Sequence, residues 1–433
     1  MIQNFFKCCL LLLSASFLII KAGYIDNRDL PLWSFPFHVN SEKPSAFQSR
    51  LFFLTARNAF DWTGGDQNNY GKGCSISDLY GSYNLARVAK QLELAGYDNP
   101  LQEDFKALTN IPFDSKGRIS GVGVWFGWYQ AITERTFFGL DFSVLNASAE
   151  SKYFLKKSIK LALGNNLTDS IVWQLYRDRQ EVNEELHLTG EQCSVSGFSD
   201  IDVFFGVKRC FDYCLKLRSL NLSARFGTIL PVGQKNNILN PVSISFSGSG
   251  KYGFYGRLDA NAEVCEDWNI SFWLELLGRT SICQKNRSLV NKLDDKQSSN
   301  IGVPQAYAPI ISNIKVDPGI TFGFGVLADF AYLRDGWGLN GGYTIIHHAK
   351  DDWTLLGKPF PEKPISFSDY NQLTSWDAEW VTVGLFFNPM LSEQDWSCYL
   401  PVFYFDWSIP VNFLIANNVP KTNRISIGFE FNF

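Results

Sequence analysis

The C-terminal stretch Arg424-Ile-Ser-Ile-Gly-Phe-Glu-Phe-Asn-Phe433 decides the fold. Its odd positions, Ile425, Ile427, Phe429, Phe431 and Phe433, are all apolar, and its even positions are Arg424, Ser426, Gly428, Glu430 and Asn432. Successive side chains of a β-strand point to opposite faces, so this segment carries one wholly apolar face and one polar face. The split recurs upstream. In residues 251–264, Tyr252, Phe254, Leu258, Ala260, Ala262 and Val264 oppose Lys251, Arg257, Asp259, Asn261 and Glu263. In 268–279, Ile270, Phe272, Leu274 and Leu276 oppose Asn269, Ser271, Glu275 and Arg279, and segments 220–226 and 320–330 repeat the pattern. Seven further segments follow it less cleanly: 122–128, 138–144, 153–163, 201–207, 339–345, 381–387 and 403–411.

These make twelve candidate strands, and the connections between them alternate in length. Short turns at 210–213, 265–267, 333–336 and 391–397 separate long loops at 164–197, 231–250, 281–317 and 350–375, with a medium loop at 414–423. A soluble β-sandwich has no reason to gather its long loops at one end. A barrel threaded through a membrane does, because one set of turns stays short and the other projects outward. An even strand number also leaves both chain ends on the same, periplasmic side.

Composition agrees. The chain is 15% aromatic but only 19% charged, an imbalance that suits a surface facing hydrocarbon better than one facing water. A net charge of −4 supplies no basic field for nucleic acid. Residues 1–23, with Lys7 ahead of an apolar run from Cys8 to Ile20, read as a cleaved secretory signal peptide, too short for a comfortable spanning helix.

An exported chain of alternating strands ending in Phe433, with Phe431 and Phe429 two and four residues earlier, resembles bacterial outer-membrane β-barrel proteins. The resemblance covers about residues 120–433. It implies an all-β, antiparallel up-and-down transmembrane barrel of about twelve strands in the outer membrane of a Gram-negative-type bacterium. It also implies contact with outer-membrane lipid, and that Phe429, Phe431 and Phe433 are read by the barrel-assembly machinery. The run Phe226-Gly-Thr-Ile-Leu-Pro-Val-Gly233, a strand leaving through Pro231 into a long loop, is similar to segments of barrels of the hydrophobic-compound-transporter type.

On that model the polar faces line a lumen. Its expected charged residues are Asp200, Asp202, Lys208, Arg225, Lys251, Arg257, Asp259, Glu263, Glu275, Arg279, Asp329, Asp406, Arg424 and Glu430. Fixed charges of both signs set which small solutes pass, or cross-link and close the pore. Trp125, Trp128, Trp268, Trp273, Trp337, Trp376, Trp380 and Trp407 mostly fall near strand ends, where an interfacial girdle is expected.

Residues 24–118 do not alternate and are expected to form a plug or a periplasmic segment, leaving 119–433 as the barrel. Ser75, Ser77 and Asp78 precede a candidate helix over 79–95 that stops at Gly96, and a second helix is expected over 170–188 after Asp169. Seven cysteines follow the signal segment, and in an oxidising compartment Cys210–Cys214 and Cys193–Cys283 are reasonable bridges. His347 and His348 are adjacent, so a strand points them to opposite faces, where they cannot share a metal ion. No Gly-x-Ser-x-Gly motif accompanies the four histidines, so neither a catalytic site nor a metal or cofactor is expected. The functional reading is a passive, substrate-selective channel. The alternatives are a closed surface-interaction barrel and a hydrophobic-compound uptake barrel, and the oligomeric state stays open.

Overall fold

In a computed structural model of the chain, the described residues are 45–60, 74–79, 81–156, 169–212, 217–246, 248–265, 267–290, 303–334, 336–357, 365–367, 371, 374–389 and 400–433. The signal peptide, residues 24–44, Cys214, Cys398 and most of the expected strand over 153–163 lie outside them. The wall strands are β1 (Ser45–Ala56), β2 (Phe113–Ala131), β3 (Thr136–Leu155), β4 (Gln192–Phe198), β5 (Ile201–Asp212), β6 (Ser219–Leu230), β7 (Gly253–Cys265), β8 (Trp268–Arg279), β9 (Thr321–Arg334), β10 (Trp337–His348), β11 (Trp376–Phe387), β12 (Val402–Pro410) and β13 (Asn423–Asn432).

Every neighbouring pair is antiparallel, and β13 pairs with β1, β1 with β2 and β2 with β3, so the sheet closes. β4 and β5 form one wall segment. Both pair with β3, Val144 lying opposite Phe198 and Asp141 opposite Asp202, with a break at Ser199 and Asp200. The closed wall therefore has twelve members. Closure satisfies the backbone polar groups that an open edge would leave bare in lipid.

Burial is inverted relative to a soluble protein. Ile425, Ile427, Phe429 and Phe433 are 38–52% exposed, whereas Ser426 and Glu430, on the opposite face of β13, are 2% and 0% exposed. Phe226, Phe254, Leu258, Phe272, Leu276, Val383 and Phe405 continue the exposed apolar surface around the barrel. Such a belt is stable only against hydrocarbon.

Two expectations are corrected. Ser45–Ala56 belongs to the wall rather than to an N-terminal plug or periplasmic segment. Its run Leu51-Phe52-Phe53-Leu54 is apolar on both faces, because inward Phe52 and Leu54 pack into a core at the long-loop end, and this erased the alternation. Conversely, Tyr153–Leu155 do not open a new strand but end β3, a strand of 20 residues that outruns the ~10 needed to cross a bilayer. The two errors cancel in the count.

Because β1 runs from the short-turn end to the long-loop end, the residues after it emerge beside the long loops. Helix α1 (Leu85–Leu94), shorter than the expected 79–95, starts after a 3-10 turn at Ile76–Asp78. The expected stop holds at Gly96, where φ is +84°. Helix α2 (Asp169–Glu185) matches the second expected helix. Both pack with the projecting ends of β2 and β3 and with strands Ile282–Val290 and Ile310–Asp317 of a small outer sheet, around Tyr83, Leu92, Phe113, Leu175, Tyr307 and Ile314. The result is a folded cap on the long-loop end.

Two buried arginines hold this cap. Arg179 pairs with Glu191 and lies against the rings of Tyr83, Tyr153 and Phe113 at 5.1, 4.1 and 5.8 Å. Arg287 is 2% exposed and donates to the carbonyls of Leu186 (2.7 Å), Ile238 (2.8 Å) and Ala308 (3.0 Å), joining three loops. Burial pushes its guanidinium pKa down to about 10.

Candidate functional site

The lumen encloses a cavity of about 1500 Å³. Its lining extends from Thr133, Arg135 and Asp212 at the short-turn end to Gly248, Pro318 and Asp351 at the long-loop end. On the β1–β3 side the far end is filled, because Phe52, Leu54, Ile119 and Leu145 of the wall pack with Val242, Ile244 and Phe246 of the inward-folded loop 231–252. Asp200 pins that loop. At the break between β4 and β5, its carboxylate accepts from the backbone N–H of Gly233 (3.0 Å) and Gly248 (2.7 Å) and pairs with Arg279 at 3.6 Å.

Seven of the expected lumen residues fall into two networks on opposite walls. On β5–β8, Arg225 makes a two-pronged bond to Asp259 (Nε–Oδ2 and Nη2–Oδ1, both 3.1 Å), and Arg257 reaches Asp259 Oδ1 at 2.8 Å and Glu275 at 3.6 Å. Such paired forks fix geometry as well as charge. Tyr255 donates its hydroxyl to Asp202 at 2.8 Å. On the facing wall, Arg50 of β1 pairs with Asp406 of β12, which also accepts from Asn340 at 3.0 Å, and Gln48 donates to Glu430 at 3.3 Å. Arg50 also stacks over Tyr404 at 4.6 Å.

Asp202, Lys208, Arg225, Lys251, Arg257, Asp259, Glu263, Glu275, Arg279, Asp406 and Arg424 line the cavity. Asp200, Asp329 and Glu430 are buried behind it, at 1%, 4% and 0% exposure. Arg50 and Asp141, which sequence reading missed, line it as well. Arg50 was hidden with β1. Asp141 sits among Phe and Leu at Phe137-Phe-Gly-Leu-Asp-Phe142, and strict alternation from Phe138, Leu140 and Phe142 was the signal that puts it inside.

Aromatic rings share the lumen with these charges. Trp273 lies across Gly325 of β9, where an added Cβ would stand 2.2 Å from its Nε1, and the Arg257 guanidinium sits 4.6 Å from its ring centre. Tyr255 lies across Gly227 in the same way. Gly323-x-Gly325 is thus space for an indole. The tryptophan girdle is correspondingly only partial. Trp268, Trp337 and Trp407 are 42–49% exposed on the outside, whereas Trp125, Trp273 and Trp376 line the cavity and Trp380 is buried at 3%.

His347 and His348 do point apart. His347 Nδ1 lies 2.6 Å from Asp377, while His348 joins Thr321 (2.8 Å) and Asp351 (3.1 Å). The Asp351 carboxyl, just beyond β10, is pushed up by burial, but the His348 hydrogen bond, Lys251 and the Gly319 N–H outweigh this and hold it at about 2. The Cys193–Cys283 bridge is not made. Cys193 packs against the core that contains Ile244, and Cys283 is exposed on the outer sheet. Cys210 is an exposed free thiol at the short-turn mouth. Phe429 and Phe433 stand on the lipid-facing side, and the backbone N–H and C=O of Phe433 pair with Ser45 at 2.9 and 3.1 Å.

A closed antiparallel barrel of even strand number, apolar outside and polar within, is of the outer-membrane type. No protein-family model matches the sequence, and no curated protein matches it. Among solved structures, an outer membrane channel from Pseudomonas putida F1 is similar over 93% of this chain and 100% of that one, at 10% identity and a TM-score of 0.48. The Ralstonia pickettii toluene transporter TbuX is similar over 90% of each chain, at 10% identity and a TM-score of 0.37. The translocator domain of the Neisseria meningitidis autotransporter NalP is similar over 92% of this chain and 90% of that one, at 8% identity and a TM-score of 0.34. At these identities and scores the lumen must be read from its own residues.

Proposed function

We propose that the chain is an outer-membrane channel through which small solutes pass by passive diffusion, exported by a cleaved signal peptide and inserted by the barrel-assembly machinery. The carrying observation is the cavity of about 1500 Å³ running between the two ends of the barrel. A structural barrel closed by its own side chains would fill that space. Flow down a gradient needs no cofactor, and the fixed charges and rings of the wall supply selectivity. The rings of Tyr129, Phe137, Phe204, Tyr255 and Trp273 on the lining favour solutes with an apolar part over simple salts, which is the feature this reading shares with hydrophobic-compound uptake.

The test is reconstitution of the purified full chain. Steady conductance steps in planar bilayers, or swelling of loaded liposomes in small amphipathic solutes, are the expected results. A silent barrel that admits no solute while its outer loops bind a surface partner would refute the reading in favour of the surface-interaction alternative.

A further inference from the structure

Asp141 of β3 and Asp202 of β5 are direct cross-strand partners, both on the lumen side of the wall and both on the cavity lining. Side chains so placed stand about 5 Å apart, and like charges directly opposite are destabilising. The pair is buried as well. Asp141 is 4% exposed, and neither of its carboxylate oxygens has a hydrogen-bond partner. Asp202 uses Oδ2 for Tyr255, and its Oδ1 is likewise unbonded. Buried carboxylates in native proteins are almost always satisfied, so an exception of this kind calls for an explanation, and a bound partner from outside the chain supplies one.

The nearby arginines act on the pair only through space, and their direct bonds go elsewhere. Arg225 and Arg257 are directed to Asp259 and Glu275, so this cluster sets four carboxylates, Asp141, Asp202, Asp259 and Glu275, against two guanidiniums. Around the pair the wall is aromatic. Tyr129, Phe137, Phe204 and Tyr255 form one buried cluster with Ile229 and Leu277.

We propose that Asp141 and Asp202 form a binding site in the lumen for an organic ammonium cation bearing an aromatic or short alkyl group. This deepens the channel reading by naming the solute class, and it rests on that reading for access to the site. The ammonium takes the unbonded carboxylate oxygens, and the hydrocarbon part lies among the rings, which also attract cations through their faces. A bare divalent ion is a poorer fit. Calcium requires six to eight oxygen ligands, and ring carbons offer none. Among the described residues no group of three or more His, Cys, Asp or Glu is placed to hold a metal ion.

The experiment is titration calorimetry on the purified full chain in detergent at pH 7. The probes are 2-phenylethylamine and its neutral counterpart 2-phenylethanol, with wild type, Asp141→Asn and Asp202→Asn. The expected result is saturable amine binding at least tenfold tighter than the alcohol, and at least a tenfold loss in Asp141→Asn. Both Asn variants are near-isosteric and relieve charge repulsion, and an unchanged β-type circular dichroism spectrum confirms the fold. Equal affinity for amine and alcohol would overturn the proposal, because it would mean that the two carboxyls present no net negative charge to the cation. Unchanged amine affinity in both variants would overturn it as well. Bilayer conductance without amine binding removes the site and keeps the channel, whereas amine binding in a barrel that conducts nothing keeps the site and removes the channel.

Discussion

Ile427→Arg is the perturbation that tests the inverted surface most directly. Ile427 is 52% exposed at the middle of β13, flanked by outward Phe405 and Leu51, which are 43% and 39% exposed. It lies six residues before Phe433, about 20 Å along a strand at ~3.4 Å per residue. A tilt of about 40° reduces this to roughly 15 Å of depth, near the middle of an apolar band about 25 Å tall. An arginine there should cost about 2–4 kcal/mol, whereas the same change at an interface costs about 0–1. Phe433→Arg, on the same face at the end of the strand, is the internal control. The assay is urea titration of protein refolded into lipid vesicles, where the expected loss is roughly 30- to 1,000-fold in the folding equilibrium for Ile427→Arg. In water a half-exposed site should tolerate arginine to within about 0.5 kcal/mol. A loss that small at Ile427, equal to that at Phe433, would refute the lipid-facing assignment of β13.

Three further outcomes follow from the geometry. Gly325→Val should evict the Trp273 ring from its place over β9, which changes tryptophan emission and costs about 1–3 kcal/mol as overpacking; unchanged emission and stability would show that the glycine is not reserved for the ring. Asp351 has a folded pKa of about 2, below the ordinary ~3.9, so it stabilises the fold above pH ~4 and loses that contribution as pH falls through about 2. The stability gap between wild type and Asp351→Asn should therefore be about 2 kcal/mol near neutrality and shrink toward pH 2, and a gap constant with pH would remove the ion-pair account. Phe433→Asn should leave export intact but reduce the folded barrel in outer-membrane fractions, and normal amounts would dismiss the C-terminal aromatic as an assembly signal.

Eleven of the twelve wall members were legible because their burden is local. A strand that faces lipid on one side and water on the other must alternate, and β7, β8 and β13 do so residue by residue. β1 was illegible for the complementary reason that its inward face meets a hydrophobic core instead of water at one end. The lumen charges were legible as a set, since any polar residue on an alternating strand points inward. Their pairing was not. Whether Arg225 meets Asp259 or Arg257 meets Glu275 depends on strand register, which no single strand encodes.

By itself, then, the sequence determined the class of architecture, eleven of the twelve wall members and the side on which the long loops gather, because period-two patterning and turn length are properties of contiguous residues. Only the tertiary structure decided that residues 81–112 help build a cap at the long-loop end, that half of the eight tryptophans named above lie inside, and that Asp141 faces Asp202 with both its oxygens unbonded. Closure of the barrel brings together side chains from strands tens to hundreds of residues apart, and the chemistry of a lumen exists only once they meet.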